Sequence, residues 1–198
     1  HTEDISSVSV SPDSRFIISG SYDRSVAIWN YREKALAHRI ANTHSERITS
    51  VVISRDMNFL ITGFEDRSVA IWNYHRKELC YRLDNPHTRP VTAVVVTDDS
   101  MYVVSGSEDM SIAIWNLEEM SLVHRFKDAH SNMVTSLAVI PRSHQFVSAS
   151  LDTTIAIWDI NEKKMLNRIT DIQNYKVFAI TVTPDARFLV WGAGSKDS

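Results

Sequence analysis

The chain is expected to be all-β, a succession of four-stranded antiparallel sheets, each written by one repeat of 43 residues. The first observation behind this is spacing. Trp29, Trp72, Trp115 and Trp158 stand 43 residues apart without drift. Asp23, Asp66, Asp109 and Asp152 keep the same interval, as do His1, His44, His87 and His130 and the hydroxyls Ser19, Thr62, Ser105 and Ser148. Self-similarity at a fixed period in this range marks one supersecondary unit repeated. The second observation is pattern. No segment holds a helical apolar period over ten residues, whereas short β-branched runs recur between turn-length polar stretches.

The second repeat, His44 to Pro86, predicts the elements in order. A first strand covers Ile48–Ser54. A second covers Asn58–Gly63 after a polar turn, and a third covers Ser68–Asn73 after Phe-Glu-Asp. A fourth covers Glu78–Leu83 after Tyr-His-Arg-Lys. In the first strand the apolar positions are spaced by three, then two: Ile48, Val51 and Ile53, with Ile5, Val8 and Val10 and their counterparts in later repeats. A regular strand alternates by two, so an extra residue predicts a β-bulge near its start. The third strand is the most uniform: Ile18–Asn30 and Ile61–Asn73 agree at 10 of 13 positions. The fourth carries Arg39, Arg82, Arg125 or Arg168 at one fixed place, read as charge protecting an exposed edge, with an Arg-lined binding rim as the alternative.

Composition narrows the function. Apolar residues make up 43% of 198, enough for a core, and the net charge is −3 with a pI of about 6.2. No basic surface for nucleic acid or anionic membrane is evident. No apolar run is long enough to span a bilayer, and no signal peptide is visible. A lone cysteine, Cys80, suits a reducing, intracellular and cytoplasmic setting. His1 is no initiator methionine yet already sits in repeat register, so a segment of a longer or processed protein is expected.

A repeated four-stranded sheet of this length is the blade of a β-propeller. With its His, Ser/Thr-Gly, Asp and strand-terminal Trp-Asp or Trp-Asn, the chain resembles the WD-repeat (Trp-Asp repeat) β-propellers from Ile5 to about Gly192. It departs from the family pattern in places. Three repeats read Trp-Asn, and only the fourth has Trp158-Asp159. Thr43, Pro86 and Ala129 replace the usual Gly before the His, and Ala149 stands where Gly20, Gly63 and Gly106 stand elsewhere. Ala27, Ala70, Ala113 and Ala156 occupy a position where the family often has a long basic residue.

The Ser, His and Asp of each repeat have the residue types of a hydrolase triad. Each set also includes Trp, whose indole N–H only donates, while hydroxyl and imidazole donate and accept and carboxylate only accepts. The chain Trp–Ser/Thr–His–Asp therefore saturates without water. In the family this network ties the second and third strands to two loops of one blade. A site repeated four times with no oxyanion element is read as structural. No catalytic, cofactor-binding or metal residue is assigned: the histidines lie one per blade and cannot converge on one ion. His38 and His124 share a register with Tyr81 and Asn167, which suggests a solvated face.

The expected blades are about 1–43, 44–86, 87–129 and 130–172, with an incomplete fifth at 173–198. There Val177–Val190 matches Ile5–Ile18, but Gln173 replaces the His, Trp191 the hydroxyl, and Ser195 the Asp. About four and a half blades leave two open ends. The favoured reading is therefore one part of a larger ring of about seven blades, as the family implies. Completion by another chain and closure with fewer blades are the alternatives.

Every repeat has the same length, so function falls to side chains on the faces. The resemblance implies a top face beside the channel as the contact surface for proteins or peptides. Its frequent positions map by register to Asp4, Ser6, Arg47, Thr49, Pro90, Thr92, Met133 and Thr135. The turns supply Tyr22, Glu65, Glu108 and Leu151, and Arg89 adds a charge. These positions vary while the scaffold positions do not. Met133 and Leu151 suggest an apolar anchor over blade four, and Arg47 and Glu65 a charged contact over blade two. The expected function is a non-catalytic protein–protein interaction scaffold in a larger chain or assembly, with no nucleic acid and no membrane insertion. A regulatory or sensory propeller attached to a catalytic or transport domain is the alternative.

Overall fold

The computed structural model describes residues 1–41, 46–83, 86–170 and 175–194. The first sheet contains β1 (Ile5–Val10), β2 (Phe16–Ser21), β3 (Val26–Asn30) and β4 (Ala35–Ile40). The second contains β5 (Ile48–Ile53), β6 (Phe59–Phe64), β7 (Val69–Asn73) and β8 (Glu78–Leu83). The third contains β9 (Val91–Val96), β10 (Tyr102–Ser107), β11 (Ile112–Asn116) and β12 (Ser121–Phe126). The fourth contains β13 (Val134–Val139), β14 (Gln145–Ser150), β15 (Ile155–Asp159) and β16 (Lys164–Ile169). A final pair, β17 (Lys176–Val182) and β18 (Leu189–Gly194), repeats the first half of this pattern. Within each sheet the strands lie in chain order and antiparallel, so every connection is a short hairpin.

The predicted bulge lies where the three-then-two spacing put it. Pairing skips a residue between Ile5 and Ser7, Ile48 and Ser50, Val134 and Ser136, and Val177 and Ala179. The third sheet slips at the same place, opposite Ser107. The extra residue lets both Ile48 and Val51 turn inward, and they are 0% and 4% exposed.

The core lies between sheets, not within one. Ile18, Val26 and Ile28 of the first sheet pack on Ile48, Val51 and Leu60 of the second. Ile61, Val69 and Ile71 meet Val91, Val94 and Val103, and Val104, Ile112 and Ile114 meet Val134, Leu137 and Phe146. A smaller cluster of Val147, Ala149, Ile155, Val177 and Ile180 joins the fourth sheet to the last pair. The third strand is apolar at successive positions because neighbouring sheets cover both its faces.

First strands face one another across these boundaries, and hydroxyls join them. Ser6 Oγ donates to the Ile48 carbonyl at 2.6 Å, Thr92 Oγ1 to Val134 at 2.6 Å and Thr135 Oγ1 to Val177 at 2.7 Å. The next residue accepts a backbone N–H from the following sheet: Val51 to Ser7, Val94 to Ser50 and Ile180 to Ser136.

Gly20, Gly63 and Gly106 exist for close approach. A Cβ at Gly106 would stand 2.6 Å from Val134 Cγ1, and one at Gly20 2.6 Å from Ile48 Cγ2. Gly106→Ala is therefore expected to lower stability by about 1–3 kcal/mol through overpacking. The companion change Val134→Ala should recover part of that loss. Urea unfolding of the single and double variants measures both.

Candidate binding face and its polar networks

The turns between second and third strands gather at one end of the sheets, called here the top, and each sheet carries a polar network there. In the first, Trp29 Nε1 donates to Ser19 Oγ at 2.9 Å, Ser19 Oγ lies 2.7 Å from His1 Nε2, and His1 Nδ1 lies 2.9 Å from Asp23 Oδ2. The fourth repeats this: Trp158 to Ser148 at 2.8 Å, Ser148 to His130 at 2.7 Å, and His130 to Asp152 at 2.8 Å. In the third, Trp115 reaches Ser105 at 3.4 Å and Ser105 meets His87 at 2.8 Å. The other nitrogen of His87 is 2.7 Å from Ser111 Oγ and 3.5 Å from Asp109. In the second, Trp72 donates to Thr62 at 2.9 Å, and His44 lies outside the described residues.

An acceptor-only carboxylate fixes the polarity of the chain: Nδ1–H donates to Asp, Nε2 accepts the hydroxyl proton, and the hydroxyl oxygen accepts from indole. Ser19, Ser105 and Ser148 are 3%, 0% and 0% exposed. A hydroxyl so engaged and so covered offers no surface to a substrate.

The networks hold more members than the four predicted from residue types. Ser25 donates to Asp23 at 2.6 Å, Ser111 to Asp109 at 2.5 Å and Thr154 to Asp152 at 2.7 Å, and Ser68 donates to Asp66. Backbone N–H groups of Thr2, Thr88 and Ser131 also donate to these carboxylates.

The fourth-strand arginines belong here too, which corrects their reading as edge charge alone. Arg82 meets Asp66 and Arg125 meets Asp109 at 2.9 Å, Arg39 meets Asp23 at 3.4 Å, and Arg168 meets Asp152 at 3.6 Å. The path is open because Arg39, Arg82, Arg125 and Arg168 stand in register beside Ala27, Ala70, Ala113 and Ala156. Cross-strand neighbours share a face, and only a methyl group lies under the arginine stem. The cation that the family often places on the third strand is here supplied by the fourth. Two signals in the sequence pointed to it: the 43-residue recurrence of the arginines and the alanines in the opposing strand.

Burial pushes the Asp109 and Asp152 carboxyls up, but the bonds from their histidines, from Ser111 or Thr154 and from the loop N–H groups win. Both are held well below the usual carboxylate range. Asp23 is lowered likewise, with burial opposed by bonds from Ser25 and Thr2.

The top-face positions divide into three groups. In each sheet the bulge position and the turn position are joined through the backbone: Tyr22 N–H donates to Asp4, Glu65 to Arg47, Glu108 to Pro90 and Leu151 to Met133, at 3.0–3.2 Å. Tyr22, Thr49, Glu65, Thr92 and Glu108 line one groove of about 260 Å³ across the first three sheets. On its rim the Arg47 guanidinium sits 4.8 Å from the Tyr22 ring centre and 3.9 Å from Glu65, and Arg89 sits 3.3 Å from Glu108. Met133 and Leu151 adjoin each other in the fourth sheet and do not line this groove. Both are half-buried, less open than two surface apolar groups.

The hydroxyls of Ser6, Thr92 and Thr135 are engaged in joining sheets, so Thr92 has its donor turned to scaffold and not to a ligand. Thr49 differs: its Oγ1 is buried and has no hydrogen-bond partner among the described residues. Among the described residues no group of three His, Cys, Asp or Glu stands close enough to hold a metal ion.

Two outcomes are expected from the networks. Arg125→Ala should lower stability by about 1–3 kcal/mol, because a buried carboxylate loses a charged donor. A residue that served only to protect an edge would leave urea unfolding unchanged. The second concerns pH. The unfolded chain binds protons near a carboxylate pKa of about 3.9, whereas folded Asp109 and Asp152 bind them only in stronger acid. Their contribution is therefore complete above about pH 5 and declines as pH falls below it. Asp109→Asn should lower stability at pH 7 and flatten that acid decline, measured by urea unfolding from pH 3 to pH 7.

The model of the family described as "WD domain, G-beta repeat" matches the chain four times, over residues 1–30, 37–73, 78–116 and 120–159. No curated protein matches it. Each match after the first joins the fourth strand of one sheet to the first three of the next and holds one Trp, hydroxyl and Asp set; the last ends at Asp159, before β16 and the final strand pair, where Trp191 replaces the hydroxyl. No helix among the described residues is long and apolar enough to cross a membrane. With four-stranded antiparallel sheets in register and four repeat matches, the chain belongs to the WD-repeat family.

Proposed function

We propose that this chain is a non-catalytic scaffold for protein–protein interaction, a WD-repeat segment of a larger protein or assembly that holds partner proteins or peptides on its top face. WD repeats generally serve protein–protein interaction. The observation that carries the reading is the groove over the first three sheets. An aromatic ring, two carboxylates and two arginines converge there on side chains that vary from repeat to repeat. Tyr and Arg at a partly desolvated depression have the composition of interface hot spots. A net charge of −3 favours protein over nucleic acid as partner. The free thiol of Cys80 suits an intracellular, cytoplasmic setting.

The uncovered first sheet supports membership of a larger ring. Ile5, Val8 and Val10 are 56–59% exposed, whereas Ile48, Val51 and Ile53, at the same register in the second sheet, are 0–6% exposed. An apolar face of this kind is matched by another sheet of the same type.

Co-purification from the full-length protein tests the top-face assignment. Arg47→Glu and Leu151→Asp are each expected to reduce partner recovery about tenfold, close to 1.4 kcal/mol, with the unfolding temperature unchanged. Recovery equal to the parent for both folded variants would defeat it.

A further inference from the structure

The boundary between the first and second sheets combines two features that the later ones do not share, a lysine and an alanine at its lower end; Lys163 keeps the lysine at the third–fourth boundary, but beside Val123. At the lower end, Met120 packs into the core between the second and third sheets, and Val123 into that between the third and fourth. The residues in register at the first boundary are Lys77 and Ala37. Ala37, with only a methyl group, and Lys77, whose ammonium lies on Tyr74, line a cavity of about 550 Å³, within the range of ligand pockets.

Its floor is apolar, formed by Phe16, Ile28, Met57 and Tyr74. Its mouth is cationic. The Lys77 ammonium lies 3.6 Å from the Tyr74 ring centre and donates to the Tyr74 carbonyl, and the Arg15 guanidinium lies 5.7 Å from the Phe16 ring. His38 and His75 also face the cavity. The one carboxylate in the lining, Asp13, is held in its own turn by Ser11 Oγ at 2.6 Å and Arg15 N–H at 3.0 Å. Among the described residues neither Lys77 nor Arg15 has a carboxylate at ion-pair distance. Burial pulls the Lys77 ammonium below its ordinary pKa. Beside the cavity, β4 is the outer strand of its sheet, and residues Ala35 to His38 are exposed. Its outward backbone groups have no neighbouring strand.

The geometry points to a second binding site, distinct from the top face: a peptide segment of a partner protein seats an aromatic or aliphatic side chain between Ala37 and Tyr74 and sets flanking Asp or Glu carboxylates on Lys77 and Arg15. Apolar floor and cationic mouth select this chemistry together. A basic peptide meets the positive charge of Lys77 and Arg15, which exceeds that of the single Asp13 in the lining, and a purely apolar one leaves that excess unanswered. The extended backbone of the segment runs along the exposed edge of β4.

Fluorescence anisotropy tests the site with a fluorescein-labelled peptide of one Phe flanked on each side by two Glu, against the same peptide with Lys for Glu. The acidic peptide is expected to bind at least about tenfold more tightly. Ala37→Leu, which installs the side chain found in register at Leu166, should weaken it about tenfold without loss of thermal stability. Lys77→Glu should weaken the acidic peptide and strengthen the basic one. Equal binding of the two peptides, no binding of either, or undiminished binding to a folded Ala37→Leu protein would overturn the proposal. If Ala37→Leu fails to fold, the reversal of preference in Lys77→Glu decides alone.

Discussion

Each four-stranded sheet in this chain has two apolar faces and can bury neither by itself. That constraint organises everything else. Burying both faces needs a sheet on either side, so the sheets stack through Ile18, Val26 and Ile28 against Ile48, Val51 and Leu60, and so on along the chain. The bulge at the start of each first strand follows, because Ile48 and Val51 must both turn toward the neighbour. So do the glycines on the second strand, which let a first strand come close enough to leave no gap. Hydroxyls on the first strands complete the joint by satisfying carbonyls and N–H groups that would otherwise lie unpaired at the boundary.

The Asp-centred networks answer a different demand. Stacking leaves the turn and inter-sheet loop at the top to be held without much apolar area. A carboxylate that only accepts can draw donors from four places at once: an imidazole, a hydroxyl, a loop N–H and an arginine from the outer strand. The same donors that hold the loops keep the carboxylate ionised despite burial. The result is a rigid platform on which Tyr22, Arg47, Glu65, Arg89 and Glu108 vary without altering the scaffold. At the lower end the Asp-centred bonds stay mostly within one turn, as from Ser11 to Asp13 and from Ser54 to Asp56, with Arg55–Asp98 reaching across a boundary. Side-chain volume also matters at that end, where the small Ala37 lines a cavity.

Much of this was legible in the residues. The strands, their order and the bulge followed from apolar spacing, because a pleat imposes a period of two and any excess residue must go somewhere. The Trp, hydroxyl, His and Asp sets followed from donor and acceptor counts. The arginines were harder. Position on an outer strand suggested solvent, and the recurring alanines mark a passage to Asp109 once Arg125 is known to pair with Ala113. Thr92 lines the top-face groove, but the role of its hydroxyl was hidden for a similar reason. Its register marks a surface, but its hydroxyl finds the Val134 carbonyl of the next sheet.

The sequence by itself determined what repeats: a 43-residue unit, four short strands within it, and a polar set that closes on itself. These are local properties, set by side-chain chemistry and the pleat. Which surfaces remain open was decided only when sheets met. Whether a hydroxyl joins two sheets, whether Ile5 is covered as Ile48 is, and whether Ala37 leaves a void depend on the neighbour across a boundary about one sheet spacing away. No single repeat encodes that distance, because it is fixed by the combined volumes of two faces.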